Sequence, residues 1–309
     1  MLLALTLAGC GVHDSQQSTG QDDPATTTVA RILPGTGRPP VIIGDKNFSE
    51  QFILGELYAE ALSAQGFTVT LNKNIGSTQI SMLALANGQL DMYPEDVGIF
   101  NADVAGDSAA FPTAHAAFET AQHYALAHGL RLLRPTPFSD SNAIAVLAGY
   151  GVEHHLRTIV DLGPLENMLT LGAPLQFQDS SSGLPGIESA YGVVPAHFQS
   201  VAVGQQYQAL QDGSVQAADV FTTDAQLASG QYELLRDPRH VFGYENVVPV
   251  VSQQALLAEG PAFADTINRV SATLTTESMR LLNADVEVYN ETPASVARQF
   301  LLTHGLLPQ

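Results

Sequence analysis

The chain has 309 residues, of which 45% are apolar and 14% are charged, a composition typical of one large or two ordinary folded domains. Twelve basic residues oppose 31 acidic residues, and the formal net charge of −19 excludes nucleic acids and anionic membrane surfaces as partners. No apolar stretch in this sequence reaches the roughly 20 residues that a membrane-spanning helix needs. A single cysteine, Cys10, excludes an internal disulfide and a thiolate zinc cage.

The first nine residues are nearly all apolar and lead through Leu7, Ala8 and Gly9 to Cys10. This pattern resembles the lipobox at which bacterial lipoproteins are cut and then acylated on the cysteine. We interpret residues 1–10 as the remainder of a lipoprotein signal with its lipobox. The run is short and has no basic segment before it, which indicates a true start further upstream. The alternative is a chance apolar start with a stray thiol.

Residues 11–40 are rich in Ser, Thr, Gln, Asp, Gly and Pro and contain few large apolar side chains. Burial therefore cannot offset the entropy cost of ordering them, and we predict a flexible tether. A lipid-anchored cysteine, a polar tether and a folded body together predict a protein held on the outer face of the cytoplasmic membrane.

The body opens with short apolar runs that alternate with helical patterns. A buried strand is predicted at 41–44, and a helix follows at 49–66, where the apolar residues share one face and a glycine provides the C-cap. Period-two alternation predicts a strand at 67–71. A helix over 77–88 and a strand over 90–93 come next. Strand, helix, strand, helix, strand is the pattern of a parallel α/β fold.

The rest of the chain continues this alternation. The predicted elements are a helix at 114–128, a strand at 143–147, short helices near 158 and 186, strands at 217–221 and 247–251, and helices at 261–274, 276–284 and 293–304. The chain between residues 140 and 246 is richer in Gly, Ser and Pro turns than its flanks. We interpret this segment as a second lobe inserted into the first.

Six sequence blocks of the body occur in the order found in one protein family. They are GDKNFSEQFILG at 44–55, GST at 76–78, DMYPE at 91–95, SGLPG at 182–186, DVFTTD at 219–224 and VPVV at 248–251. Over about residues 41–307 the chain thus resembles the glycine betaine, choline and carnitine substrate-binding proteins of osmoprotectant ABC transporters.

This resemblance implies an α/β fold of the periplasmic-binding-protein type (type II), with two lobes, each a mostly parallel sheet flanked by helices. Lobe one is expected to hold residues 41–139 and 247–309, and lobe two residues 140–246. Two hinge crossings are expected near 138–141 and 244–248. A small solute binds in the cleft, the lobes close around it, and the loaded protein docks on an ABC permease whose ATPase subunits hydrolyse ATP. No cofactor is implied.

The resemblance also indicates which residues line the cleft, and several depart from the family's pattern. Relatives hold a quaternary ammonium group in a box of tyrosines, whereas Asp96 and Asn142 stand at tyrosine positions here. Phe221 keeps a ring without the hydroxyl, and the family's cleft arginine aligns with Ser180. Lys46 is then the remaining cation for a ligand carboxylate. The candidate ligand-binding residues are Lys46, Gln51, Asp96, Asp140, Asn142, Ser180, Phe221 and Glu245.

This acceptor-rich lining is better matched to hydroxyls or to an N–H-bearing cation than to trimethylammonium. The ligand is therefore left open between a betaine-like or choline-like solute and a polyol, sugar or amine. Each residue also has a purely structural alternative. Lys46, Asp96 and Glu245 could be surface charges, Phe221 could be core, and a one-residue shift of the alignment would exchange Glu245 with a neighbour.

An enzyme and a sensor are the alternatives from other classes. The chain has no Gly-x-Ser-x-Gly elbow, no phosphate-binding loop and no dinucleotide fingerprint. His154 and His155 are adjacent, so on a helix their rings point in different directions. No histidine is placed in the sequence to activate Ser180 and its neighbours. These observations argue against an enzyme, whereas a lipid-anchored sensor would keep the same fold.

Overall fold

The computed structural model describes residues 32–308, and ten strands in this part of the chain form two five-stranded sheets. In chain order the strands are β1 Val41–Gly44, β2 Val69–Asn72, β3 Met92–Asp96, β4 Leu130–Leu132, β5 Asn142–Leu147, β6 Thr170–Ala173, β7 His197–Ser200, β8 Ala217–Phe221, β9 Tyr232–Leu235 and β10 Val247–Ser252. Sheet one has the order β2-β1-β3-β10-β4, and sheet two has the order β7-β6-β8-β5-β9. Both sheets belong to one compact unit that begins at Leu33.

Helices cover the sheets. They are α1 Ser49–Ala64, α2 Thr78–Ala86, α3 Val97–Ile99, α4 Ala114–Ala127, α5 Ala148–Glu153, α6 Leu184–Tyr191, α7 Gln206–Gln211, α8 Gln253–Glu259, α9 Pro261–Ser271, α10 Thr276–Glu287 and α11 Pro293–Thr303. A π-helical turn at Phe100–Ala105 follows α3, and 3₁₀ segments lie at Ile159–Met168, Leu175–Gln178 and Ala225–Ser229. No described helix is both long enough and apolar enough to cross a membrane.

Helix α1 illustrates how local sequence produces this packing. Its buried residues include Ile53, Leu57 and Ala61, which recur at the four-residue spacing of one helix face. That face joins the core cluster between β1 and the C-terminal helices α9, α10 and α11. Gly66 ends the helical segment with φ of 85°, a conformation that favours glycine. The helix predicted at 49–66 is thus present, with its last turn at Ala64.

The sheets are mixed but mostly parallel in strand direction, as predicted: in each sheet four strands run one way and one strand runs against them. Strand β1 pairs in parallel with β2 and β3, but β10 is antiparallel to both β3 and β4. In the same way β6 pairs in parallel with β7 and β8, and β5 is antiparallel to β8 and β9. The reason is topological. Strands β5 and β10 each follow a segment that arrives from the other sheet, so each enters its sheet from the opposite end.

Four short strands were not predicted. Strands β4, β6, β7 and β9 have three or four residues each, which leaves little length in which a period can show. The strand predicted at 67–71 begins two residues later at Val69, because Phe67 turns into the core against the edge of the Phe263 ring, with centroids 5.9 Å apart.

The segment predicted as a tether lies only partly within the described residues. Cys10 and residues 11–31 lie outside them. Residues 32–40 are described and pack on the body, because the Gly35 N–H donates to Gln65 O at 2.9 Å and the Arg38 Nη1 group donates to Ala258 O at 2.9 Å. A Cβ on Gly35 would lie 2.2 Å from Phe67 N, so this turn fits only without a side chain. The packed body therefore begins before the boundary predicted at residue 41.

Two segments connect the sheets, one from β4 to β5 and one from β9 to β10, and they are hydrogen-bonded to each other. Ser139 and Asn246 form an antiparallel bridge. The Asp140 N–H donates to Glu245 O at 3.0 Å, and the Glu245 N–H donates to Ser139 Oγ at 3.1 Å. The Asn246 amide also donates to Phe138 O at 3.1 Å. The connection between the sheets is consequently a short two-stranded ribbon.

Candidate functional site

A cavity of about 690 Å³ lies between the sheets and is lined by residues from both of them and from the ribbon. Strands β1, β3 and β8 end at this cavity, while β5 and β10 begin there. The antiparallel register places Asn142 opposite Phe221 and Val247 opposite Asp96, which brings residues far apart in sequence to one edge. Ligand sites in α/β proteins form at such strand ends, where loops can present side chains.

Lys46 lies in a buried ion cluster at the end of β1. Its Nζ contacts Glu95 Oε1 and lies 3.3 Å from Asp96 Oδ2. Thr78 Oγ1 donates to the other oxygen of Glu95 at 2.8 Å. Burial lowers the pKa of Lys46, but the adjacent Asp96 and Glu95 carboxylates outweigh burial and raise it. Lys46 therefore stays protonated, and its charge is already balanced by two carboxylates.

Asp140 and Glu245 lie on the two strands of the ribbon and face the cavity. Asp140 accepts from Thr223 Oγ1 at 2.8 Å, and Glu245 accepts from the Ile99 N–H at 3.2 Å. Burial raises the pKa of Asp140 to about 6 and that of Glu245 to about 7. Both carboxyl groups therefore titrate near neutral pH and respond to any charge that enters the cavity.

Glu245 is held against a glycine that the sequence had not identified as important. A Cβ on Gly98 would lie 2.0 Å from Glu245 Oε1. Glycine at position 98 thus makes room for the carboxylate, which then reaches the free N–H groups at the start of α3. A one-residue shift of the alignment would exchange Glu245 with Tyr244 or Asn246. Both of these residues line a separate pocket behind the ribbon.

Asn142 and Phe221 lie opposite each other on β5 and β8, and both line the cavity. The Asn142 amide donates to both carboxylate oxygens of Asp219, at 3.0 and 3.1 Å. Burial raises the pKa of Asp219 to about 7. The amide N–H groups of Asn142 are thus bonded to Asp219, whereas Phe221 lines the cavity.

Two of the predicted site residues do not line the cavity. Gln51 is fully buried below it in α1, where its Oε1 accepts from the Lys46 N–H at 3.4 Å. Ser180 lies in the exposed loop after Leu175–Gln178, and its Oγ pairs with Ser182 Oγ at 3.0 Å. The predicted alignment of Ser180 with a cleft arginine therefore does not bring a side chain to this cavity. The other six line it, and their role as ligand contacts stays a prediction.

The cavity also has lining residues that the sequence analysis did not select. Glu50 lies at its base, where it accepts from the Asn283 amide at 3.0 Å, and burial followed by the nearby Asp140 raises its pKa well above the usual range. Tyr207 donates to Asp224 at 2.7 Å. Glu50 and Asp224 fall inside the sequence blocks 44–55 and 219–224 and could have been found there. Nothing in the sequence singles out Tyr207 or Asn283.

Two α/β lobes, a solute-sized cavity between their facing strand ends and a two-stranded connection define a two-lobed solute-binding protein. The chain belongs to the family described as the substrate binding domain of ABC-type glycine betaine transport systems, whose profile matches residues 39–302. This is a family of solute-binding components of transporters rather than of enzymes.

Individual proteins show the same relationship. A glycine-betaine-binding protein of Pseudomonas aeruginosa is 30% identical over 285 residues, which cover 86% of this chain and 88% of that protein. The glycine betaine-binding protein YehZ of Escherichia coli is 28% identical over 287 residues, covering 88% and 93%. A crystal structure of a glycine betaine/carnitine/choline ABC transporter protein superposes with a TM-score of 0.81 at 23% identity, covering 86% and 99%. The predicted family and the two-lobed α/β fold are thereby confirmed.

Proposed function

We propose that this chain captures a small solute in the cavity by closing its two lobes and delivers that solute to the permease of an ABC importer. Residues 41–139 with 247–309 and residues 140–246 are the two bodies that move, and the ribbon is the hinge. Acylation of Cys10 holds the protein at the outer face of the cytoplasmic membrane. The proposed ligand contacts are Lys46, Asp96, Asp140, Asn142, Phe221 and Glu245.

The observation that carries this proposal is the position of the cavity. Its walls come from both sheets, and Asp140 and Glu245 of the ribbon belong to those walls. A solute bound there contacts both lobes at once and so favours the closed arrangement over the open one. Closure also removes water, which strengthens the polar contacts of the cleft.

Solute binding and closure are tested together. The full chain is titrated with quaternary ammonium, amine, polyol and sugar solutes while the melting temperature is followed. A solute at 100 times its Kd adds about 2.7 kcal/mol to the free energy of unfolding. Small-angle X-ray scattering should then show a smaller radius of gyration in the saturated protein. Phe221→Ala should weaken binding by about 1 to 3 kcal/mol if the ring contacts the solute.

Delivery and anchoring are tested in cells. Deleting the gene should abolish uptake of the radiolabelled solute, and the wild-type gene should restore it. Uptake that persists without the gene would argue for a sensor instead of a transport component. The Cys10→Ser protein should leave the membrane fraction, whereas wild-type protein should stay there and incorporate labelled fatty acid.

A further inference from the structure

The cavity wall is strongly acidic. Seven acidic residues and one lysine line it among the described residues; the acids are Glu50, Asp96, Asp103, Asp140, Asp224, Glu245 and Glu287. The lysine, Lys46, already contacts Glu95 and Asp96. A ligand carboxylate would therefore meet several carboxylates without a cation left to balance it. A ligand with net positive charge is favoured by the same wall.

The wall also contains buried acceptors that lack donors. Gln206 and Asn283 are 6% and 5% exposed, and both line the cavity. Gln206 Oε1 and Asn283 Oδ1 have no hydrogen-bond partner among the described residues. Each of these oxygens exposes less than 1 Å², however, so neither is open to a ligand in the cavity as it stands. The carboxylates are therefore the acceptors of the wall that favour a donor-bearing ligand.

Aromatic rings of the wall do not form a box around a methylated ammonium. Among residues 32–308, three aromatic residues line the cavity, namely Phe48, Tyr207 and Phe221. Lys46 Nζ already lies 5.5 Å from the centroid of the Phe48 ring. Tyr207 packs against the edge of Tyr232, with centroids 4.8 Å apart, and donates its hydroxyl to Asp224. A quaternary ammonium, which has no N–H to donate, would find few free ring faces here.

A metal ion is a poor match for this wall. Within residues 32–308, no three Asp, Glu, His or Cys side chains converge closely enough to hold one. The cavity of about 690 Å³ is also far larger than a metal ion and lies in the size range of sites for small organic ligands. The acidic groups are spread around this space, as a ligand of several atoms would require.

We infer that the cleft of this chain binds a small organic cation with several N–H donors, such as a primary di- or polyammonium or a guanidinium compound, in preference to a methylated zwitterion. This inference rests on the proposed function and specifies its ligand. The cation places its N–H groups against Asp140 and Glu245 of the ribbon. Charge-assisted hydrogen bonds of this kind are roughly twice as strong as neutral ones.

Proton release distinguishes this ligand class from the others. Asp140 and Glu245 have pKa values of about 6 and 7 because they are buried. Glu50, Asp96 and Asp224 face the same space, and burial raises the pKa of each of them. A bound cation lowers these pKa values, so its binding releases protons, and its affinity rises with pH through this range. A neutral polyol has no charge with which to drive this release.

The experiment is a titration calorimetry series on the full chain with paired probes. Ethanolamine is compared with choline, glycine with glycine betaine, and 1,4-diaminobutane and agmatine with sorbitol and with Ca²⁺. We expect the diamine or agmatine to bind at least about tenfold more tightly than choline or glycine betaine. Titration at about pH 6.5 in two buffers with different ionisation heats should show proton release with the amine probes.

Isosteric variants locate the effect. Asp140→Asn and Glu245→Gln should each weaken binding of the amine probe by about tenfold to 100-fold and reduce the proton release on binding. Asp265→Asn and Glu119→Gln, which remove exposed acids outside the cavity, should leave binding unchanged. The melting temperature of each ligand-free variant confirms that it is folded. Amine binding that is unaffected by both cleft variants would overturn the inference.

The remaining outcomes separate the inference from the proposed function. Tighter binding of choline or glycine betaine than of every amine overturns the ligand class but supports solute capture in this cleft. The same holds for a chain that responds only to sorbitol. A response to Ca²⁺ alone also overturns the inference. A chain that binds no member of the series contradicts both the inference and the proposed capture of a solute.

Discussion

Lys46 and Lys73 are the two lysines of this chain, and their surroundings are opposite. Lys46 is 6% exposed and contacts Glu95 and Asp96, whereas the side chain of Lys73 is 53% exposed and pairs with Glu56. Removing one partner of a buried ion pair leaves an uncompensated charge, and here two carboxylates would lose their counter-charge together. An exposed pair contributes little because water screens it.

Lys46→Met should therefore lower the free energy of unfolding by about 3 kcal/mol at neutral pH. Lys73→Met, the matched control, should change it by less than about 1 kcal/mol. Urea denaturation of both variants measures the difference. At pH 5 the deficit of Lys46→Met should shrink, since burial raises the pKa of Asp96 and this carboxylate can then take up a proton. An equal and small effect of both substitutions would show that the Lys46 cluster does not stabilise the fold.

Single residues of the site were predictable to different degrees. Lys46 follows β1 and Asp96 ends β3, and the sequence motifs that contain them bring both residues to the cavity, where their role as ligand contacts stays a prediction. The pairing of Lys46 with Glu95 and Asp96 was not predictable, because it depends on the lateral placement of β1 beside β3. For Ser180 the structure differs from the prediction. Spacing along the sequence aligned it with the cleft, but its loop is exposed and does not reach the cavity.

At the scale of elements, the turn from β3 into α3 shapes the acidic wall. Asp96 pairs with Val247, so this turn lies beside the start of β10 and next to Glu245. Gly98 leaves the space that the Glu245 carboxylate fills, and the Ile99 N–H donates to it. A side chain at position 98 and the carboxylate of Glu245 cannot both occupy this volume.

Gly98→Ala should displace the Glu245 carboxylate and lower the free energy of unfolding by about 1 to 3 kcal/mol, because the hydrogen bond from the Ile99 N–H to this carboxylate is lost. Gly149→Ala in α5 is the control. No atom lies within 4 Å of its Cβ position, and alanine is favoured over glycine in a helix. Thermal denaturation measures both variants. Combining Gly98→Ala with Glu245→Ala should remove most of the loss, and a loss that persists would point to another cause.

Helices long enough to show several turns of regular apolar spacing were predicted from the sequence, whereas several short strands were not. The helices at Ser49–Ala64, Ala114–Ala127 and Pro293–Thr303 span several turns of clear apolar spacing. The order of the strands within each sheet has no local signal in the sequence. The antiparallel entry of β5 and β10 follows from the path of the chain between lobes, which neither propensity nor periodicity encodes.

At the scale of the whole molecule, burial gives several carboxyl groups high pKa values. The four with values near neutral are Asp45 at about 6, Asp140 at about 6, Asp219 at about 7 and Glu245 at about 7. The ordinary values are 3.8 for Asp and 4.5 for Glu. Between these ordinary values and about pH 7, the folded chain keeps protons that the unfolded chain has already released. Folding is then favoured by low pH, and this stabilisation is lost as the pH rises through 6 to 7.

The melting temperature of the ligand-free protein should consequently fall as the pH is raised from about 4.5 to about 7.5. Repulsion within a chain of net charge −19 acts in the same direction. Differential scanning calorimetry over this range measures the slope. The Asp140→Asn and Glu245→Gln double variant should flatten it, and Glu119→Gln should not. A melting temperature that rises steadily with pH would contradict the protonated state of these groups.

The position of β10 sets the order in which the lobes can be completed. Strand β10 lies between β3 and β4 in sheet one, and β4 pairs with no other described strand. Yet the chain reaches β10 only after all five strands of sheet two, which run without interruption from Asn142 to Leu235. During synthesis from the N-terminus, sheet two can form from contiguous chain while β3 and β4 still present unpaired edges. Lobe one should thus fold last, after closure of a long loop, and it is the lobe most exposed to aggregation or to chaperones before the chain is finished.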